Sequence, residues 1–252
     1  MESVKFDNLD EFMKLAEEDA NFEYTVAWVD CVAKGESLGR GIYMRGNHAG
    51  PNGGKPVKTI GRPMISVPID APSFMLNSYT VKAFNILYYG KQFSKYVTKK
   101  IHYNPFFYPL DAVDCWNRIY GRQGLFQYQF VIPEERVDSL HRVFEAISES
   151  GLASFLAVLK KFGDVKSPGM LSFPKKGITL ALDFVNRGSE TKRLFDRLNE
   201  IVNEASGRLY PAKDSHMTSD AFKTYYPEWK EFETYMDPKF SSSLWRRVTD
   251  NG

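Results

Sequence analysis

A lysine placed after an apolar turn and directly before an acid can act on charge that develops in a reaction. Lys213 has that setting, in Gly207-Arg-Leu-Tyr-Pro-Ala-Lys-Asp-Ser-His-Met217. Its ammonium can keep its charge beside Asp214 or have its pKa moved by burial. Taken alone, the stretch favours the plainer reading, a solvated loop lysine. A second chemical signal lies in Phe126-Gln-Tyr-Gln-Phe-Val-Ile132, which alternates with period two. Gln127 and Gln129 share one face of that strand, Tyr128 and Phe130 the other. Two such amides face solvent in the bland case; lining a cleft, they donate and accept hydrogen bonds suited to a polyol.

Composition sets the limits around these residues. The 252-residue chain is 43% apolar and 25% charged, enough to bury a core. Its 33 basic and 31 acidic residues leave a net charge of +2, no electrostatic case for a nucleic-acid partner. Cys31 and Cys115 match no metal or redox spacing and read as buried thiols. The four histidines are scattered without ligand spacing. No apolar run suits a leader or a bilayer span, so a cytoplasmic or peripheral-membrane location is expected.

The elements that must position these residues follow from periodicity. Helices are expected over 8–19 with Asn8 as N-cap, 80–89, 134–150, 153–162 and 190–205, with Gly207 as the C′ residue of the last. Strands are expected over 22–31, 38–45, 126–132 and 178–185, with Gly39 and Gly41 marking close approach of a backbone or a ligand. Residues 91–100 read as a solvated basic face. Phe106–Tyr120 reads as an extended piece leading into a helix closed by Gly121. Pro63–Leu76 is apolar for a loop; packing over the core is the leading reading, a lid or lipid-facing edge the sharper one. The sum is an α+β fold, an antiparallel sheet flanked by helices. The aromatic tail from Asp220 to Arg247 must close this domain or dock on another.

Several runs together resemble a known group: Tyr24-Thr-Val-Ala-Trp-Val-Asp30, Phe107-Tyr-Pro-Leu-Asp-Ala-Val, Trp116-Asn-Arg-Ile-Tyr-Gly, Gln127-Tyr-Gln-Phe-Val-Ile-Pro, Leu171-Ser-Phe-Pro and the Lys213 stretch. The chain is similar to the decaprenylphosphoryl-ribose oxidase family of vanillyl-alcohol-oxidase-type FAD flavoproteins, cousins of the aldonolactone oxidases. The resemblance implies a substrate (cap) domain over 1–206 and a segment over 207–252 that packs against an FAD-binding domain supplied in cis or in trans. No G-x-G-x-x-G phosphate loop occurs here, and the isolated chain is expected to be inactive without that domain.

The resemblance carries roles over residue by residue. It implies Lys213 as the essential lysine beside flavin and substrate, and Gln129, Gln127, Lys160, Phe162 and Trp28 as substrate-pocket residues. Phe107 or Tyr108 falls at a pocket aromatic. Near Thr179 and Ala181 the mycobacterial-type enzymes carry an asparagine and a cysteine, so the sugar-lipid substrate is not fixed by these positions. The implied cofactor is FAD, and the implied substrate is a sugar or polyprenyl-phosphate sugar, with peripheral membrane contact through 63–76. A soluble sugar lactone as substrate, or a noncatalytic sugar- or lipid-binding module, are the alternatives.

Overall fold

The computed structural model describes residues 1–249 except 20, 51–64, 73–74 and 214–215. Ten strands are present: β1 Glu2–Phe6, β2 Tyr24–Val29, β3 Gly41–Gly46, β4 Ile65–Ser66, β5 Tyr96–Thr98, β6 Val113–Asp114, β7 Leu125–Ile132, β8 Ala157–Phe162, β9 Gly177–Val185 and β10 Arg208–Leu209. Eight helices accompany them: α1 Leu9–Glu18, α2 Ser78–Gly90, α3 Tyr103–Phe107, α4 Val137–Ser150, α5 Ser189–Glu204, α6 Ser219–Tyr225, α7 Trp229–Glu233 and α8 Ser243–Thr249. Eight strands form one antiparallel sheet in the order β10-β7-β9-β8-β2-β3-β1-β5, and β4 and β6 form a short parallel pair. The expected α+β class holds.

Register explains the two faces of the sheet. One row of directly paired positions runs Phe130, Leu180, Leu159, Ala27, Tyr43 and Val4 across six strands. All six are buried, and α1, α4 and α5 cover them with Phe12, Phe144, Ile147, Phe195 and Leu198. One residue along, the row Gln129, Ala181, Val158, Trp28, Ile42 and Lys5 points the other way. The period-two reading of 126–132 therefore stands.

Local chemistry starts and stops the elements. Asn8 caps α1 by accepting the Glu11 N–H at 3.0 Å, and Asn77 caps α2 in a capping box with Thr80. Gly41 lies against the Trp28 carbonyl and the Phe6 ring so closely that a Cβ would fall 2.2 Å from that oxygen. The expected close approach is thus to this chain's own backbone.

Three expectations need correction. Residues 157–162 form strand β8, not a helix: Leu156-Ala-Val-Leu is apolar at either period, and the slot between β2 and β9 decides it. The left-handed residue after α5 is Ser206, at φ 56°, not Gly207. Ser206 N–H donates to the Asn203 carbonyl at 2.9 Å and Gly207 N–H to Val202 at 2.8 Å, a Schellman closure. The basic stretch 91–100 is solvent-exposed as expected, and within it 96–98 pairs with β1 as an edge strand. In the apolar loop, residues 63, 64, 73 and 74 lie outside the described residues, but Ile65, Ile69 and Met75 are exposed rather than packed on the core. The segment before Gly121 winds as a 3-10 helix, Trp116–Tyr120.

The tail divides. Phe222, Tyr225 and Tyr226 are buried in the core, and the Tyr226 hydroxyl donates to the Leu209 carbonyl at 2.7 Å. Tyr235 and Phe240 are exposed. Cys31 is buried, its thiol donating to the Ser154 carbonyl at 3.1 Å and pushed up to about 12 by burial, while Cys115 is half-buried.

Candidate functional site

The sheet face opposite α1, α4 and α5 gathers most of the residues singled out from sequence. Gln127 and Gln129 stand two positions apart on β7, opposite Asp183 and Ala181 of β9. Lys160 on β8 stands opposite Thr179 of β9, and Trp28 on β2 opposite Val158. The backbone that carries Lys213 is tied to the same sheet. Tyr210 N–H donates to the Gln129 carbonyl at 2.9 Å, and a 3-10 turn, Pro211–Lys213, returns Lys213 N–H to the Tyr210 carbonyl at 3.2 Å. Asp214 and Ser215 lie outside the described residues, so the sequence pairing of Lys213 with Asp214 is not described.

Polar partners set the amides. Gln127 donates its Nε2 to Asp183 Oδ1 at 3.0 Å, and Gln129 donates its Nε2 to Thr179 Oγ1 at 3.3 Å. The Tyr120 hydroxyl donates to Asp183 Oδ2 at 3.4 Å, and Ser154 Oγ accepts the Asp183 N–H at 3.1 Å. Burial holds the Asp183 carboxyl above the usual carboxylate range, against hydrogen bonds from Gln127 and Tyr120 and the Lys213 charge. The Tyr120 phenol is pushed up by burial first and by the Asp183 charge second.

The two lysines lie within electrostatic range of one another. Lys160 is accessible to solvent along its length, yet crowding around its ammonium lowers its pKa, and the neighbouring Lys213 charge lowers it further. Among the described residues, neither ammonium is in an ion pair. Lys213 lies within electrostatic range of Asp183 as well as of Lys160, so two basic groups and one acid surround the glutamine amides.

Aromatic rings border the face. The Trp28 Nε1–H donates to the Phe155 carbonyl at 3.0 Å, and its ring lies 4.5 Å from Tyr88 of α2. Phe155 stacks on Tyr120 at 5.4 Å and meets Phe84 edge-on at 5.6 Å. On the other side, Phe162 meets Phe173 at 6.0 Å, and Phe173 stacks on Tyr210 at 4.6 Å. Arg208 pins that segment by donating to the Phe173 and Pro174 carbonyls at 3.0 and 2.9 Å. This accounts physically for the Leu171-Ser-Phe-Pro and Gly207–Lys213 runs lying together.

Phe107 is not brought into the group. It packs edge-on against Tyr24 at 4.9 Å and helps line a separate cavity of about 370 Å³ with His48, Lys100, His102 and Phe106. Tyr108 is exposed beside it, 6.3 Å from the Phe107 ring. Beside Lys213 a small cavity of about 10 Å³ lies among Gln127, Tyr128, Gln129, Phe195, Leu209 and Tyr210.

Asp183 and Tyr120 escaped the sequence reading. Asp183 did leave a signal: a lone acid in the apolar strand Ile178–Val185, in phase with Thr179 and Ala181 and out of phase with Leu180, Leu182 and Phe184. Tyr120 left none, since only the return of a 3-10 turn over the sheet brings it to Asp183.

Over 241 residues, 91% of its length, the chain is 34% identical to decaprenylphosphoryl-beta-D-ribose oxidase from Mycolicibacterium smegmatis (strain ATCC 700084 / mc(2)155). The chain is a relative of that oxidase. It spans 52% of the oxidase's length. It is also 27% identical, across 98% of its length and 71% of the relative's, to a Streptomyces coelicolor protein described as an uncharacterized protein in the mprA 5′ region. No family model matches the chain.

Proposed function

We propose that this chain is the substrate-binding portion of an FAD-dependent oxidoreductase that oxidises a sugar secondary alcohol, of the polyprenyl-phosphate ribose 2′-hydroxyl type. The observation that carries the reading is Lys213 beside Gln127 and Gln129 at the edge of the sheet, within electrostatic range of Lys160. The similarity to decaprenylphosphoryl-beta-D-ribose oxidase supports it.

In this reading the floor positions the sugar. Each glutamine uses one N–H on a sheet neighbour, which leaves its second N–H and its Oε1 to meet sugar hydroxyls. Trp28 offers an apolar edge, and Phe162, Phe173 and Tyr210 offer another. Lys160, with its lowered pKa, holds a phosphate or hydroxyl oxygen. Lys213 is the proposed catalytic residue, a fixed positive charge against the electron-rich side of the reaction. Lys213 is the one residue of this chain that would reach a bound flavin. When bound, FAD supplies the hydride acceptor. An FAD-binding domain would complete the walls around Lys213. Tyr235 and Phe240 in the 207–252 segment are exposed rings that such a domain would cover. Exposed Ile65, Ile69 and Met75 fit the proposed peripheral contact of 63–76 with lipid. No helix among the described residues is long and apolar enough to cross a membrane.

The test is Lys213→Ala in the chain assembled with an FAD-binding domain, followed by anaerobic flavin bleaching and by circular dichroism. Bleaching should slow on the order of 10²-fold or more with the fold unchanged. Bleaching at the normal rate would remove Lys213 from the reaction.

A further inference from the structure

Helix α2 is mounted on the sheet by its polar and aromatic side. Asn85 is buried and donates to Asp30 Oδ1 at 2.7 Å, Asp30 pairs with Arg40 at 3.0 Å, Val81 is buried, and Tyr88 lies on Trp28. The opposite side of the helix is reversed from what a surface helix shows. Tyr79, Ala83, Ile86, Leu87 and Gly90, within one helical face, look outward, flanked by exposed Thr80, Lys82 and Phe84. Tyr79 is 84% and Leu87 74% exposed, and three residues beyond the helix Phe93 is 97% exposed. Nine of the fifteen large hydrophobic residues exposed in the described structure fall between Tyr79 and Tyr108.

Charge along this stretch has one sign. Between Asp70 and Asp111 there is no acidic residue, while Lys82, Lys91, Lys95, Lys99 and Lys100 all occur, in a chain whose net charge is only +2. Lys95 pairs with Glu11, and the Lys91 ammonium lies 3.3 Å from the centre of the Tyr88 ring. Protein-binding surfaces are depleted of lysine at their apolar centres, whereas apolar side chains set among lysines suit a bilayer with anionic headgroups. Lysine stems lie along the apolar region and keep their ammonium groups at the phosphates.

We propose that the outward face of α2, with Phe93 and the lysines of 82–100, docks on an anionic lipid surface. The inner side of the same helix borders Trp28, so docking would set the open sheet face beside the bilayer. The membrane face stands on exposure and charge alone; only its use in delivering a lipid-linked substrate rests on the oxidase reading.

The experiment is co-sedimentation of the chain with vesicles of phosphatidylcholine alone and of an equimolar mixture with phosphatidylglycerol. Binding is expected to the anionic vesicles, weakening with added salt. Leu87→Ser and Phe93→Ser should each weaken it about tenfold, with melting temperature unchanged because both side chains are exposed. Replacing Lys82 and Lys91 by Gln should weaken binding to the anionic vesicles alone. Absence of vesicle binding, binding indifferent to these substitutions, or self-association of the chain abolished by Leu87→Ser without any lipid binding would each overturn the proposal. None of these outcomes reads flavin reduction, so a failure here leaves the Lys213 role standing or falling by its own test.

Discussion

Gln127 and Asp183 face one another across the β7–β9 pairing as direct Cα partners, and the amide donates to the buried carboxylate at 3.0 Å. An acid 3% exposed in the middle of a sheet is an expensive residue to ionise, and it titrates accordingly.

Folded Asp183 holds its proton to higher pH than the unfolded chain does, because burial disfavours its charge. Its ionisation therefore lowers stability: not at all below the ordinary value of 3.8, progressively as pH rises through the raised folded value, and fully above it. Asp183→Asn keeps the shape and the acceptor for Gln127. We expect that variant to melt higher than the parent at neutral pH and together with it near pH 3, by differential scanning calorimetry. A melting difference that does not change with pH would contradict the assignment.

Lys160 reports on Lys213 without any turnover. Crowding and then the Lys213 charge lower its pKa, so Lys213→Met should move the Lys160 titration back upward, part of the way toward 10.5. Titration of labelled lysine side chains by NMR measures this directly. An unmoved Lys160 would mean that the two ammonium groups do not share one site.

The close of α5 predicts opposite signs at adjacent residues. A Cβ on Gly207 would stand 2.6 Å from the Val131 carbonyl and 2.9 Å from Val202, so Gly207→Ala should lose about 1–3 kcal/mol. Ser206, at φ 56°, occupies the conformation glycine prefers, so Ser206→Gly should gain roughly 0.5–1 kcal/mol. Urea unfolding of the two variants checks both. Lys213 follows directly on this closure, so Gly207→Ala should also disturb the Lys160 titration.

Periodicity revealed the floor of the site more fully than its walls. Gln127 and Gln129 were readable because alternation with Tyr128 and Phe130 assigns faces without any knowledge of neighbours. Asp183 obeys the same alternation and could have been found by asking which strand position carries a charge among apolar residues. Lys160 could not be placed, because Ala157–Phe162 suits a helix or a strand until β2 and β9 flank it. The glycine after α5 was read for its backbone freedom, but its work is to let the chain pass close to β7. Phe107 was expected in the pocket from resemblance alone, and only tertiary placement shows it beside Tyr24 instead.

The junction between β2 and β8 is narrow, two Cα pairs, Ala27 with Leu159 and Trp28 with Val158, where β7 and β9 share eight. It divides the sheet into four strands drawn from residues 2–98 and four drawn from residues 125–209. Each quartet can zip up from its own contiguous stretch, so the union of the two is the long-range step that closes late in folding. Trp28 sits on that line of union and its indole is tied across it to Phe155. Its fluorescence should therefore lag behind the gain of β-structure during refolding, and the polar floor should come into being only when the two quartets meet.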